Sequence, residues 1–249
     1  MCSQAALLLR SVSLFLMLWL IVTLAPAQAT RAQKRRAEER GATVVVDERL
    51  AVLRDGPDLR ANPLKRLGRG RYVTPVGWKR APDGLIFYRV MLTSRTGGWL
   101  QSEAVVVSSR AGDDARLLKL VRGSEGFDRL ARARIFLDLF SRSPLRPAVL
   151  LIYGEAAEEA AAKLSTEAAR RLDQREMSAS GAPVYSYFLN YNGLDRYSRA
   201  GARFLFDRNV GRYHYDGETW REILRRYPRS QESATARTRL DALSVIEGR

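Results

Sequence analysis

The sequence predicts an α+β chain of two domains, a small closed β-barrel followed by an all-α domain of helical hairpins. Three observations predict it. From Thr43 to Val107, short apolar runs are cut at close intervals by turn residues. From Asp113 onward, apolar residues recur at helical spacing among Ala, Glu and Arg. The chain has 249 residues, 46% of them apolar. One core usually serves about 100–200 residues, so two small domains are expected.

The first 29 residues read as an address. Arg10 gives a positive start, Val12 to Ala25 is an apolar run, and Ala27-Gln28-Ala29 is a small-x-small site. That is the three-part pattern of a secretory signal peptide. The run is shorter than the about 20 apolar residues needed to span a bilayer. Ala5 to Leu9 extend it upstream, so an uncleaved inner-membrane anchor is the alternative to cleavage near Thr30. Residues 30–42 form a charged linker with too few apolar groups to bury a face. Export to the periplasm or the extracellular space is the expected localisation.

Residues 43–108 carry the β signal. Val44-Val45-Val46 and Leu50 to Leu53 are short apolar runs split by Asp47-Glu48. Asp55-Gly56-Pro57 is turn chemistry. Pro63 and Pro75 argue against long strands at those points, because proline cannot donate to a ladder. Ile86, Tyr88, Val90 and Leu92 alternate with Phe87, Arg89 and Met91, the period of a strand with two different faces. Asp83-Gly84 before it and Gly97-Gly98 after it read as connecting turns. Closing such short strands into a barrel would remove exposed edges.

Residues 109–249 carry the α signal. Asp113 or Asp114 can cap a first helix. Ser124 opens a second, with Phe127, Leu130, Ala131, Ile135 and Leu139 on one face. Pro144 and Pro147 end it. Ala148 to Leu164 is a strong helix, and Ser165 or Thr166 restarts a short one. Gln174 to Gly181 is expected to be loop. Pro183 starts a Tyr-rich helix to Tyr191, stopped by Asn192-Gly193. Further helices are expected over Leu194–Phe206, Gly217–Tyr227 with an Asp216 cap, and Ser230–Leu243.

Several of these residues resemble a family. Leu50-Ala51-Val52-Leu53-Arg54-Asp55-Gly56-Pro57, Leu67-Gly68-Arg69-Gly70-Arg71-Tyr72-Val73, Phe87-Tyr88-Arg89-Val90 and Gly97-Gly98-Trp99-Leu100 follow one another in the order of a bacterial SH3 domain. Val52-Leu53 stands where the family usually has an Asn-Val-Arg series, and Trp78 to Gly84 carries extra charge and Pro82. The resemblance implies an SH3-like barrel that binds peptidoglycan, a wall peptide or an envelope protein outside the cytoplasm. Tyr227-Pro228-Arg229-Ser230 resembles the helix junction of tetratricopeptide-like pairs, echoed weakly by Phe140-Ser141-Arg142-Ser143.

Chemistry is sparse. His214 is the single histidine and Cys2 the single cysteine. Cys2 precedes the apolar run, so it does not sit where a lipid-attachment cysteine would. No zinc site of nitrogen and sulfur ligands can be assembled. No Gly-x-Ser-x-Gly elbow supplies a nucleophile. Gly68-x-Gly70 and Gly97-Gly98 are not phosphate loops, since no helix follows. Glu155, Glu158 and Glu159 read as a solvated face. No catalytic residue, cofactor or metal is therefore expected. The net charge of +15 would attract anions generally, but no nucleic-acid motif gathers the arginines.

Two aromatic groups remain. In the barrel, Trp99 and Tyr88 are expected in the core, whereas Trp78 sits beside Lys79-Arg80 in an expected loop. Tyr72, Trp78, Lys79 and Arg80 are the candidate ligand-binding residues. Tyr185, Tyr187, Tyr191, Tyr197, Tyr213, Tyr215 and Trp220 read as interhelical packing. The expected function is that of an exported, non-enzymatic adaptor. The alternatives are an accessory or targeting subunit of a wall-acting enzyme, and a membrane-anchored envelope scaffold.

Overall fold

The computed structural model describes residues 41–191 and 193–247. The predicted signal peptide and all but the end of the linker lie outside them. The chain divides between Ser109 and Arg110 into two compact units. None of the described helices is long and apolar enough to cross a membrane.

The first unit is one antiparallel sheet of seven strands: β1 (Thr43–Val45), β2 (Val52–Arg54), β3 (Pro63–Arg66), β4 (Tyr72–Arg80), β5 (Ile86–Met91), β6 (Gly97–Gln101) and β7 (Val105–Val107). A 3-10 turn, Ser102–Ala104, joins β6 to β7. The order across the sheet is β3-β2-β6-β5-β4-β1-β7. Leu53 of β2 and Val105 of β7 share one buried cluster with Val45, Val73, Val90 and Leu100. Five strand spacings separate β2 from β7, about 24 Å if the sheet were flat. Side chains cannot reach across that gap, so the sheet curls over its own core. The sheet nevertheless stays open, with β3 and β7 as its ends, and the closed barrel expected from sequence is corrected accordingly.

Three local expectations in this unit are also corrected. Gly97-Gly98 is not a turn but the start of β6; Leu92 N–H donates to Thr96 O (2.8 Å), and the turn lies at Thr93–Thr96. Trp99 is half-buried, and the core position in β6 is Leu100. β4 runs through Pro75 for nine residues. Arg71 O accepts from Val45 N (3.0 Å), so the carbonyl of Arg71 and the backbone groups of Val73 turn toward β1 and those of Thr74 toward β5. Pro75 then faces the side that β1 no longer occupies, where its missing N–H costs nothing.

The second unit is built around α3. Its helices are α1 (Asp113–Arg122), α2 (Gly126–Leu139), α3 (Arg146–Arg171), α4 (Gln174–Ser180), α5 (Val184–Tyr191), α6 (Asp195–Arg199), α7 (Glu218–Arg226) and α8 (Glu232–Glu247). Small residues along α3, among them Gly154, Ala157, Ala160 and Ala161, are buried. They let α2 and α7 approach its axis closely. Pro147 lies in the first turn of α3, where its missing N–H is an orphan anyway.

The all-α expectation fails here. Leu194–Phe206 is not one helix: α6 ends at Arg199, and β8 (Phe204–Asp207) pairs antiparallel with β9 (Arg212–Tyr215). Phe206 meets Tyr213 across the pair, ring centroids 5.0 Å apart, a cross-strand contact that a helix over Leu194–Phe206 would not make. Asp207 Oδ1 accepts from Asn209 N (2.7 Å) and Gly211 takes φ +64°, closing the turn between them. The break expected at Ser165 is also absent, since α3 is continuous to Arg171. The expected loop at Gln174–Gly181 is helix α4, which Asp173 caps by accepting from Arg175 N (2.7 Å).

Candidate functional site

The β4–β5 hairpin carries the candidate residues. Its turn is fixed by Ala81 N–H donating to Leu85 O (2.8 Å), Gly84 N–H to Ala81 O (3.0 Å) and Leu85 N–H to Asp83 Oδ1 (3.0 Å). Gly84 takes φ +86°, which the turn requires. Arg80 Nη1 donates to Gly84 O (3.1 Å) and ties the strand end to the turn. Trp78 faces Tyr88, Lys79 faces Phe87 and Arg80 faces Ile86 across the pair.

The register slips between Pro75 and Gly77, leaving Val76 as the extra residue of a bulge. The slip turns the rest of the strand over. Val73 points into the core, so Tyr72 lies on the outer face. Beyond the bulge, Trp78 shares the face of Tyr88, which packs on the core cluster. About 20 Å of strand separates Tyr72 from Trp78. The structure thus places Trp78 and Arg80 on one face and Lys79, between them, on the other, all exposed, and leaves the half-buried Tyr72 some six residues away on the face opposite Trp78.

Beyond Val73, the described pairings of β4 are with β5 alone. Ala81 bonds to Leu85, so Ala81 and Lys79 direct their backbone groups to β5. Trp78 and Arg80 direct theirs outward. Among the described residues the site is therefore an open strand edge. Its backbone donors and acceptors alternate along the strand beside Trp78, 65% exposed, and Val76, 56% exposed. Sequence reasoning missed the edge, because Trp78 was placed in a loop.

In the second unit the corresponding strand edge is sealed. Asp216 N–H donates to Arg203 O (3.0 Å), so the N–H groups of Tyr213 and Tyr215 point away from β8. Tyr213 N–H donates to Ser165 Oγ (3.0 Å) and Tyr215 N–H to Glu158 Oε2 (2.7 Å), both on α3. The other oxygen of Glu158 lies 2.9 Å from His214 Nδ1. His214 is buried, and among the described residues its Nε2 has no hydrogen-bond partner. Glu158 thus closes a strand edge and holds the imidazole. Among the described residues no group of three or more His, Cys, Asp or Glu is placed to hold a metal.

Burial raises the phenols of Tyr153, Tyr213 and Tyr215 above their ordinary range; nearby Tyr215 pushes Tyr153 further. Tyr215 is pushed up to about 12 by burial, against the lowering effect of its hydrogen bonds with Thr219. All three are neutral in the folded and unfolded chain well below pH 10. Above pH about 10 the unfolded chain releases these protons first, so stability falls as pH rises toward 12. Tyr215 alone removes about 3 kcal/mol over that window, at about 1.4 kcal/mol per unit. In an alkaline titration, the last phenolate absorbance should rise together with loss of the helical circular-dichroism signal. Ionisation of all ten tyrosines in a chain that stays native would refute this.

Comparison with family models, with curated proteins and with solved structures found no match to this chain.

Proposed function

We propose that the chain is a non-enzymatic envelope adaptor. Its first unit is an SH3-like module that binds a wall-derived or envelope peptide, and its second is a tetratricopeptide-like scaffold for a partner protein. The observation that carries the reading is the exposure of Trp78 beside Lys79 and Arg80 on an unpaired edge. A large rigid aromatic held in solvent by an ordered hairpin is a binding anchor more than a folding device. The curl of the sheet over one small core, with β4 bent at its bulge, is compatible with a small, partly open barrel. The pattern at residues 1–29 supports export, and with it an extracytoplasmic ligand.

The test is Trp78→Ala in the full chain, titrated with soluble wall fragments that retain their stem peptides. An anchor residue contributes about 2 kcal/mol or more, so affinity should fall about thirtyfold. The melting temperature should not move, because Trp78 adds little to the core. Equal affinity of variant and parent removes the hairpin from the ligand site.

A further inference from the structure

We infer that the outer edge of β4 takes an acidic, extended peptide segment as an added strand, at Trp78 to Arg80. This rests on the peptide-binding reading above and specifies its mode and its partner chemistry. The backbone carries the first part of the argument. Trp78 and Arg80 both turn N–H and C=O outward, two residues apart, which is the repeat of an antiparallel or parallel ladder. An extended peptide that adds there gains main-chain bonds, while its alternate side chains meet Trp78.

Charge decides the occupant. Between Arg71 and Met91 there are four basic residues, Arg71, Lys79, Arg80 and Arg89, and one acidic residue, Asp83. All four basic side chains are exposed, and among the described residues none of them is ion-paired. Asp83 is engaged by Leu85 N–H within the turn. A second copy would bring Lys79 and Arg80 against their own kind. The bulge at Val76 and the proline at 75 further blunt copy-to-copy pairing. The chain's own segment Thr30–Arg40, with five basic and two acidic residues, is repelled for the same reason. An acidic partner strand meets no such repulsion, and pairing at Trp78 to Arg80 lies beyond the bulge.

The probe is an acetylated, amidated heptapeptide of alternating Val and Glu, titrated into the full chain. Its analogues are the same peptide with alternate backbone nitrogens methylated, a Val-Lys peptide, and polyglutamate. We expect binding of the Val-Glu peptide, with the Trp78 and Arg80 amides gaining protection from hydrogen exchange. Methylation of the inward nitrogens should weaken binding at least tenfold. A Lys79→Glu/Arg80→Glu variant should lose the Val-Glu peptide and gain the Val-Lys peptide. Equal binding of methylated peptide or of polyglutamate, or no amide protection, overturns strand addition. The same holds for no binding of the Val-Glu peptide, or for protection that appears with dimerisation alone. If wall fragments still bind in a Trp78-dependent way after such a result, the peptide-binding function stands and the added-strand mode falls.

Discussion

Replacing Trp220 with alanine will unfold the second unit near physiological temperature. Trp220 is 1% exposed and is the largest fully buried side chain among the described residues. Its ring meets Tyr215 edge-on at 5.4 Å, and its indole nitrogen lies against Gly154 of α3. A Cβ at position 154 would stand 2.7 Å from Trp220 Cε2. The indole therefore fills the groove that the glycine leaves, and it holds α7 to α3 together with the ion pair of Arg146 and Glu222 (3.1 Å). Truncating a buried Trp costs about 3–5 kcal/mol. A domain has about 5–15 kcal/mol in all. Trp220→Phe should keep most of the stability: much of the ring volume survives, and the Nε1 hydrogen that finds no partner among the described residues is removed. Urea unfolding followed by far-ultraviolet circular dichroism measures both variants. A Trp220→Ala chain with an unchanged midpoint would mean that α7 does not depend on the indole.

That contact shows where the sequence was legible and where it was not. The β-to-α change after Val107 and the two-faced strand at Ile86–Met91 are local signals, and both read directly. The role of Gly154 could not be read, because its reason lies 66 residues away at Trp220. Ser165 looked like a helix start because serine favours caps. Inside α3 it instead serves the orphaned N–H of Tyr213, a partner that chain order conceals. The strand at Phe204–Asp207 was hidden by helix propensity, although the Asp207–Gly211 turn was the signal that could have separated the two. The candidate site followed the same rule. Its residue types were visible, but the open edge depends on β1 ending its pairing at Val73. The separation of Tyr72 depends on a one-residue bulge.

Gly98→Val will detach β2 and β3 from the sheet and cost the first unit about 3 kcal/mol, the upper end for forcing a side chain into a filled site. The position is tight against backbone. A Cβ at Gly98 would lie 2.6 Å from Arg54 O and 2.8 Å from Leu53 Cγ. Neither can step aside cheaply. Leu53 is fully buried in the core cluster, and Arg54 pairs with Trp99 in the single described register contact between β2 and β6. The new side chain must push β2 away from β6, which exposes Leu53 and strands β3, whose described partner is β2. Conformation is not the cause, so the control is a glycine of the opposite kind. Gly70 has φ +79° and open space around its Cβ position. Gly70→Ala should cost only about 1 kcal/mol of backbone strain and leave the sheet intact. Amide exchange separates the two cases. In Gly98→Val the amides of Val52–Arg54 and of residues 64–66 should lose protection while those of β4 and β5 keep theirs. Retained protection at Leu53 would show that the sheet absorbs a side chain at 98, and that the glycine pair is not what admits β2 to the edge of β6.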